Sequence, residues 1–110
     1  MRDDLTGVEF YWRPGCGFCM RLDRDLQKAG VTMNKHNIWD DPSHADTVRK
    51  WAKGNETVPT VVIGDVGLVN PSKDEVIGVL AAKAPHLVPD GWEPPQPGRI
   101  SGATRRLLGG

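Results

Sequence analysis

Cysteine is scarce in this chain. Its 110 residues hold only two, Cys16 and Cys19. A secreted disulfide scaffold needs more cysteines at wider spacings, so that class is excluded. Net charge is also lacking, because 14 Lys and Arg balance 14 Asp and Glu. That balance gives no electrostatic reason to expect a nucleic acid or an anionic membrane as partner. The longest apolar run, Val76 to Ala82, is far too short to span a bilayer. The opening residues, Met1 to Thr6, are polar and cannot form the core of a signal peptide. The expectation is a cytoplasmic, monomeric protein with no nucleic-acid and no membrane partner. Zinc needs four ligands, no second cysteine pair exists, and His36, His44 and His86 are scattered in the sequence, so no metal ligands are assigned.

What is present is an alternation of strands and helices. Val8 to Trp12 is β-rich, bounded by Gly7 and Pro14, and reads as a buried strand. Arg13-Pro14-Gly15 is a turn. From Gly17 to Ala29, Phe18, Leu22, Leu26 and Ala29 recur at helical spacing, and Gly30 suits a left-handed terminator. Val31 to Ile38 is expected as the second strand. Asp41 and Pro42 supply an N-cap and a first helical residue, and Ala45, Val48 and Ala52 form the apolar stripe of a second helix. Thr60 to Ile63 is a third strand, Gly64 to Gly67 a turn, and Leu68-Val69 a short fourth strand closing a hairpin. Ser72 and Glu75 form a capping box for a last helix, with Val76, Val79 and Leu80 inward and Pro85 as its stop. Trp39 and Trp51 are expected to cover the edges of the core, and Trp12 to line the approach to Cys16.

The order is β-α-β-α-β-β-α. Its first half makes a parallel, right-handed β-α-β unit and its second half an antiparallel hairpin with a covering helix. This resembles the thioredoxin fold, an α/β architecture with a four-stranded mixed sheet. Residues 1–86 are assigned to that domain. Residues 87–110 form a Pro- and Gly-rich stretch that cannot propagate a helix or a ladder, and are expected to be a disordered tail.

The chemistry lies in Cys16-Gly17-Phe18-Cys19. Cys16 follows a strand and a turn and opens a helix, where free N–H groups and the positive end of the dipole favour thiolate over thiol. A free cysteine, pKa about 8.5, is about 3% thiolate at pH 7, whereas a shift to about 7 gives half, equivalent to about 2 kcal/mol. Arg13, in the turn just before, adds positive charge nearby. Cys19 lies one helical turn on, at a separation that suits a disulfide, and on the apolar side. It is expected to stay buried and protonated. Gly17 leaves the sulfur of Cys16 open to a bulky thiol. Phe18 is either an apolar lip beside it or simply core. Thr57-Val58-Pro59-Thr60 is the second necessary feature. A proline directly before a strand is a candidate cis peptide, which would turn the N–H and C=O of Val58 outward to pair with an incoming thiol.

Phe10 to Cys19, Thr57 to Thr60 and Asn70-Pro71-Ser72 together resemble the mycoredoxins, actinobacterial members of the glutaredoxin family. The resemblance spans residues 7–84. It implies an enzyme that reduces mixed disulfides between proteins and mycothiol, with electrons from mycothiol and no tightly bound cofactor. Cys16 matches the attacking cysteine, Cys19 the second cysteine, and Thr57, Val58 and Pro59 the substrate-pairing turn. Two departures stand out. Gly17-Phe18 replaces the usual Pro-Tyr, and Asn70-Pro71 replaces a Gly-Gly pair that lets the backbone approach the γ-glutamyl end of glutathione. The second departure makes glutathione the less favoured thiol. The alternatives are a thioredoxin-like electron donor and a non-enzymatic iron–sulfur carrier.

Overall fold

The computed structural model describes residues 5–92. Four strands and three helices follow one another as β1 (Val8–Trp12), α1 (Gly17–Ala29), β2 (Met33–Asn37), α2 (Pro42–Trp51), β3 (Thr60–Ile63), β4 (Val66–Val69) and α3 (Lys73–Lys83). A short 3-10 turn, Pro85–Leu87, follows α3. The strands form one mixed sheet in the order β2-β1-β3-β4. β1 pairs with β2 in parallel, while β3 runs antiparallel to both β1 and β4. This is the thioredoxin-like arrangement expected.

Side-chain alternation divides the interior in two. Val8 and Phe10 of β1 and Val61 and Ile63 of β3 point to one face, where Leu22 and Leu26 of α1 and Val76, Ile77 and Leu80 of α3 bury them. Tyr11 points to the other face and packs with Ile38 against Ala45, Val48 and Ala52. Burial there pushes the Tyr11 phenol above its ordinary pKa.

The helix ends follow the capping chemistry. Asp41 accepts from the Ser43 N–H ahead of Pro42, and those hydrogen bonds hold its carboxyl below the usual range. Ser72 and Glu75 make a reciprocal box at α3. Gly30 ends α1 at φ 90°.

Several details depart from the sequence expectations. β2 is shorter than Val31 to Ile38, and β4 begins at Val66 because the turn needs only Gly64 and Asp65. Ile77 is fully buried in α3, whereas Val79 is partly buried. Trp39 does not cover the core: it follows the last residue of β2 and is 64% exposed. Trp51 does lie on the sheet, flat against Gly67. Past residue 86, Leu87, Val88 and Trp92 pack partly buried against the first core, and His86 Nε2 lies 3.0 Å from the Leu5 carbonyl oxygen. The rest of the expected tail, 93–110, lies outside the described residues.

A Cβ built at Gly67 would stand against Cδ2 of the Trp51 ring, far inside van der Waals contact. Gly67→Ala is therefore expected to destabilise the protein by about 2 kcal/mol, the cost of overpacking. Ser72→Ala should lose about 1 kcal/mol with the cap. Denaturant titration of each variant against wild type checks both values.

Candidate active site

The sheet topology brings two loops to one end. β1 and β3 are antiparallel neighbours with Tyr11 opposite Thr60, so the chain leaving β1 and the chain arriving at β3 meet there. The first carries Cys16, the second Pro59.

The turn after β1 is made by Arg13, Pro14 and Gly15, and Gly15 has φ +80°. Glycine adopts that left-handed conformation at little steric cost. Cys16 is the N-cap of α1, with φ −91° and ψ 106°. Its carbonyl accepts from the Met20 N–H at 3.1 Å, opening the helix. Its Sγ accepts from the Cys19 N–H at 3.1 Å. The sulfur thus occupies the place where a serine or aspartate oxygen ordinarily caps a helix. No acidic residue lies in the first turn of α1 to oppose negative charge at that point.

Cys16 and Cys19 are joined as a disulfide, with Cα atoms 5.2 Å apart. Both are buried, and Cys19 slightly more so, at 2% exposed against 5%.

The second loop lies directly against the first. The Val58–Pro59 peptide is cis. The Val58 carbonyl oxygen is 3.7 Å from Cys16 Sγ. The loop is held from both sides: the buried Thr60 hydroxyl donates to the Thr57 carbonyl at 2.8 Å, and the Asn70 N–H donates to the Pro59 carbonyl at 2.7 Å. Among the described residues the Val58 N–H has no hydrogen-bond partner. Val58 thus brings its carbonyl close to the sulfur and keeps its N–H unpaired.

The other expected site residues are placed as follows. A Cβ on Gly17 would meet nothing within 4 Å outside its chain neighbours, so the position next to Cys16 faces open space. Phe18 is 65% exposed and is not part of the core. It lies at the start of α1 and borders a groove with Arg21 and Leu22 on one side and Asn70, Pro71 and Lys73 on the other. Asn70 turns the chain there with φ 51°, a conformation asparagine tolerates. The Arg13 guanidinium folds back onto its own turn, 3.2 Å from the Pro14 carbonyl and 6.0 Å from the centre of the Trp39 ring.

Sequence reading missed some of what the fold assembles. Trp12 lines a cavity of about 190 Å³ against Cys19, with Phe10, Met20, Asp23 and Lys35. His36 and His44, distant in the sequence, have ring centres 4.7 Å apart, and His36 Nε2 is 2.7 Å from Glu9 Oε1. The pairing joins β2 to the start of α2. Among the described residues no group of three or more His, Cys, Asp or Glu side chains is arranged to hold a metal ion. No helix among the described residues is long and apolar enough to cross a membrane.

The site combines a capped sulfur, a second sulfur in disulfide reach and a free backbone donor. Such a site can exchange disulfides.

The sequence profile of the Glutaredoxin family matches residues 8–68. A protein named as a glutaredoxin in two strains of Mycobacterium tuberculosis is 37% identical over 72 residues, covering 64% of this chain and 86% of its own length. Among solved structures, the Brucella melitensis glutaredoxin is 25% identical with a TM-score of 0.52, covering 79% of this chain and 92% of its own. The buckwheat glutaredoxin, solved as a glutathione complex, is 17% identical with a TM-score of 0.56, over 74% of this chain and 78% of its own. The last likeness is one of fold. With more than half its residues inside the family profile, the chain belongs to the glutaredoxin family, whose thiol–disulfide oxidoreductase fold and C-x-x-C pair it carries.

Proposed function

We propose that the protein reduces protein–mycothiol mixed disulfides, with Cys16 as nucleophile and mycothiol as electron source. The observation that carries this reading is the Cys16 sulfur in the N-cap position, 3.1 Å from the Cys19 N–H and 3.7 Å from the carbonyl of Val58, whose own N–H is unpartnered. A thiolate there gains a charge-assisted hydrogen bond and the favourable end of the α1 dipole.

The Cys16 thiolate attacks the mycothiol sulfur of the mixed disulfide. The protein thiolate leaves with the electron pair of the broken bond, and Cys16 becomes the mixed disulfide with mycothiol. A second mycothiol thiolate then attacks the mycothiol sulfur of that bond. It forms mycothiol disulfide and returns Cys16 as thiolate. The disulfide is reduced elsewhere by an NADPH-dependent reductase. During the first step Thr57, Val58 and Pro59 pair with the backbone-like part of the incoming thiol, and Gly17 leaves room for its bulk. Phe18 gives its sugar–inositol tail an apolar lip, and Arg13 contributes positive charge to the same loop. The cytoplasm, where free thiols are kept reduced, is the matching compartment.

The groove between α1 and α3 bears on the choice of thiol. Ser72 and Glu75 already satisfy two of the N–H groups at the start of α3, and Asp74 and Glu75 place negative charge there. Arg21 and Lys73 stand there against Asp25, Asp74 and Glu75, and a neutral sugar–inositol tail needs no net positive clamp at that end. The relatives from Mycobacterium tuberculosis fit an actinobacterial thiol.

A second reading, a thioredoxin-like donor that cycles through the Cys16–Cys19 disulfide, is favoured by the 5.2 Å Cα separation of the pair. The readings separate in a coupled assay with a mixed-disulfide substrate and NADPH. One arm contains mycothiol and its reductase, another glutathione and its reductase, and a third thioredoxin reductase alone. Turnover is expected in the mycothiol arm. Cys16→Ser should lose about a thousandfold or more there. Cys19→Ala should keep most of the rate, because the second step uses a free thiol. Turnover only with glutathione reassigns the thiol. Turnover only with thioredoxin reductase, abolished by Cys19→Ala, favours the second reading. Gly17→Leu should leave thermal stability nearly unchanged, because its side chain projects into open space, and should slow the mycothiol arm about tenfold by crowding the sulfur.

A further inference from the structure

Cys19 has an environment of its own. Cys16 Sγ lies 3.7 Å from the Val58 carbonyl oxygen, whereas Cys19 borders a cavity of about 190 Å³ whose lining includes neither Cys16 nor Val58. Phe10, Trp12 and Met20 make most of that lining, and Asp23 and Lys35 supply its ionisable side chains. Asp23 lies four residues after Cys19 on α1, so the two share one face of the helix. Lys35 arrives from β2, at the edge of the sheet, and its Nζ is 2.8 Å from Asp23 Oδ2. Gln27 Nε2 donates to the other carboxylate oxygen at 2.7 Å and holds it in place. Asp23 is 26% exposed and Lys35 38%, so both charges are partly shielded from water. Arg24 and Lys28 line the adjoining surface groove and do not line this cavity.

We propose that the Asp23–Lys35 pair tunes the ionisation of Cys19, and so sets how often the second cysteine, instead of a free thiol, resolves the mixed disulfide on Cys16. The proposal rests on the reading of Cys16 as nucleophile. In the resolving step the Cys19 thiol loses its proton to water. Its thiolate then attacks Cys16 Sγ, the Cys16–substrate bond breaks, and the substrate thiolate leaves with that electron pair. Cys19 attacks only as thiolate. An apolar cavity opposes that ionisation. With both charges present the pair is neutral, and Cys19 stays mainly protonated. Mycothiol then has time to act. Removing one partner leaves one uncompensated charge beside the sulfur, and its sign decides the direction. Asp23 and Lys35 are thus tuning residues, acting through Cys19 and not on substrate.

The test uses reduced full-length protein and one equivalent of a neutral dipyridyl disulfide, which releases an absorbing thiopyridone. The first release reports attack by Cys16, and the second reports displacement by Cys19. Rates are followed across pH in wild type, Lys35→Met, Asp23→Asn and the double variant. In Lys35→Met the midpoint of the second phase should move up by about half a pH unit, with a neutral-pH rate about threefold lower. In Asp23→Asn it should move down by about the same amount, with a rate about threefold higher. The double variant should return toward wild type. Opposite shifts are not expected of packing damage. Coincident profiles, or both single variants moving the same way, overturn the proposal. A slower second phase in Asp23→Asn also overturns it, because that result makes Asp23 a proton acceptor. Absence of the first phase in wild type removes the nucleophile reading itself, and the proposal with it.

Discussion

One hydrogen bond organises this site: the Cys19 N–H pointing at Cys16 Sγ across 3.1 Å. It makes the sulfur an N-cap. That single placement has two consequences. It puts a sulfur where an oxygen ordinarily caps a helix, so the Cys19 N–H is aimed at the atom that the proposed reaction ionises. It also fixes the sulfur at the point where the α1 dipole is most positive. Local structure and reactivity are therefore one feature here. A serine in place of Cys16 would cap the helix as well, but would have no thiolate.

The sheet supplies the rest. A cysteine at a helix start needs a surface against which a disulfide can be aligned. The antiparallel pairing of β1 and β3 carries the Val58–Pro59 loop to the same end. Thr60 from below and Asn70 from β4's end hold that loop. These two hydrogen bonds leave the Val58 N–H without a partner among the described residues, on the residue whose carbonyl lies 3.7 Å from the sulfur. The cavity lined by Trp12, Asp23 and Lys35 borders Cys19, while Cys16 lies against the Val58 carbonyl. Two cysteines three residues apart thus stand in unlike environments, which is what a division of roles requires.

Much of this was legible in the sequence where the information was local. Asp41-Pro42, Ser72 with Glu75 and Gly30 announce helix ends through chemistry within a few residues, and each does what it was read to do. The cis Val58–Pro59 bond was also foreseen, from the combination of a proline before a strand and an upstream cysteine pair. What escaped was non-local. Phe18 fits the apolar stripe by spacing, yet it is 65% exposed because the buried face of α1 runs through Cys19, Leu22 and Leu26. In α3 nearly every side is apolar, so spacing cannot choose between Ile77 and Val79. Trp39 reads as a cover for the edge of the core, but it lies two residues past the end of β2 and is exposed. The Asp23–Lys35 and His36–His44 pairs join different elements, and only the packed fold brings them together.

The account stands on Cys16 being held as a thiolate by the start of α1. Titrating the ultraviolet absorption of the thiolate in reduced Cys19→Ala, which leaves Cys16 as its single thiol, tests that directly. The predicted result is ionisation at a pH clearly below that of a free cysteine, about 8.5, with the difference lost when the same variant is unfolded in denaturant. Ionisation at the free-cysteine value in the folded protein would contradict it.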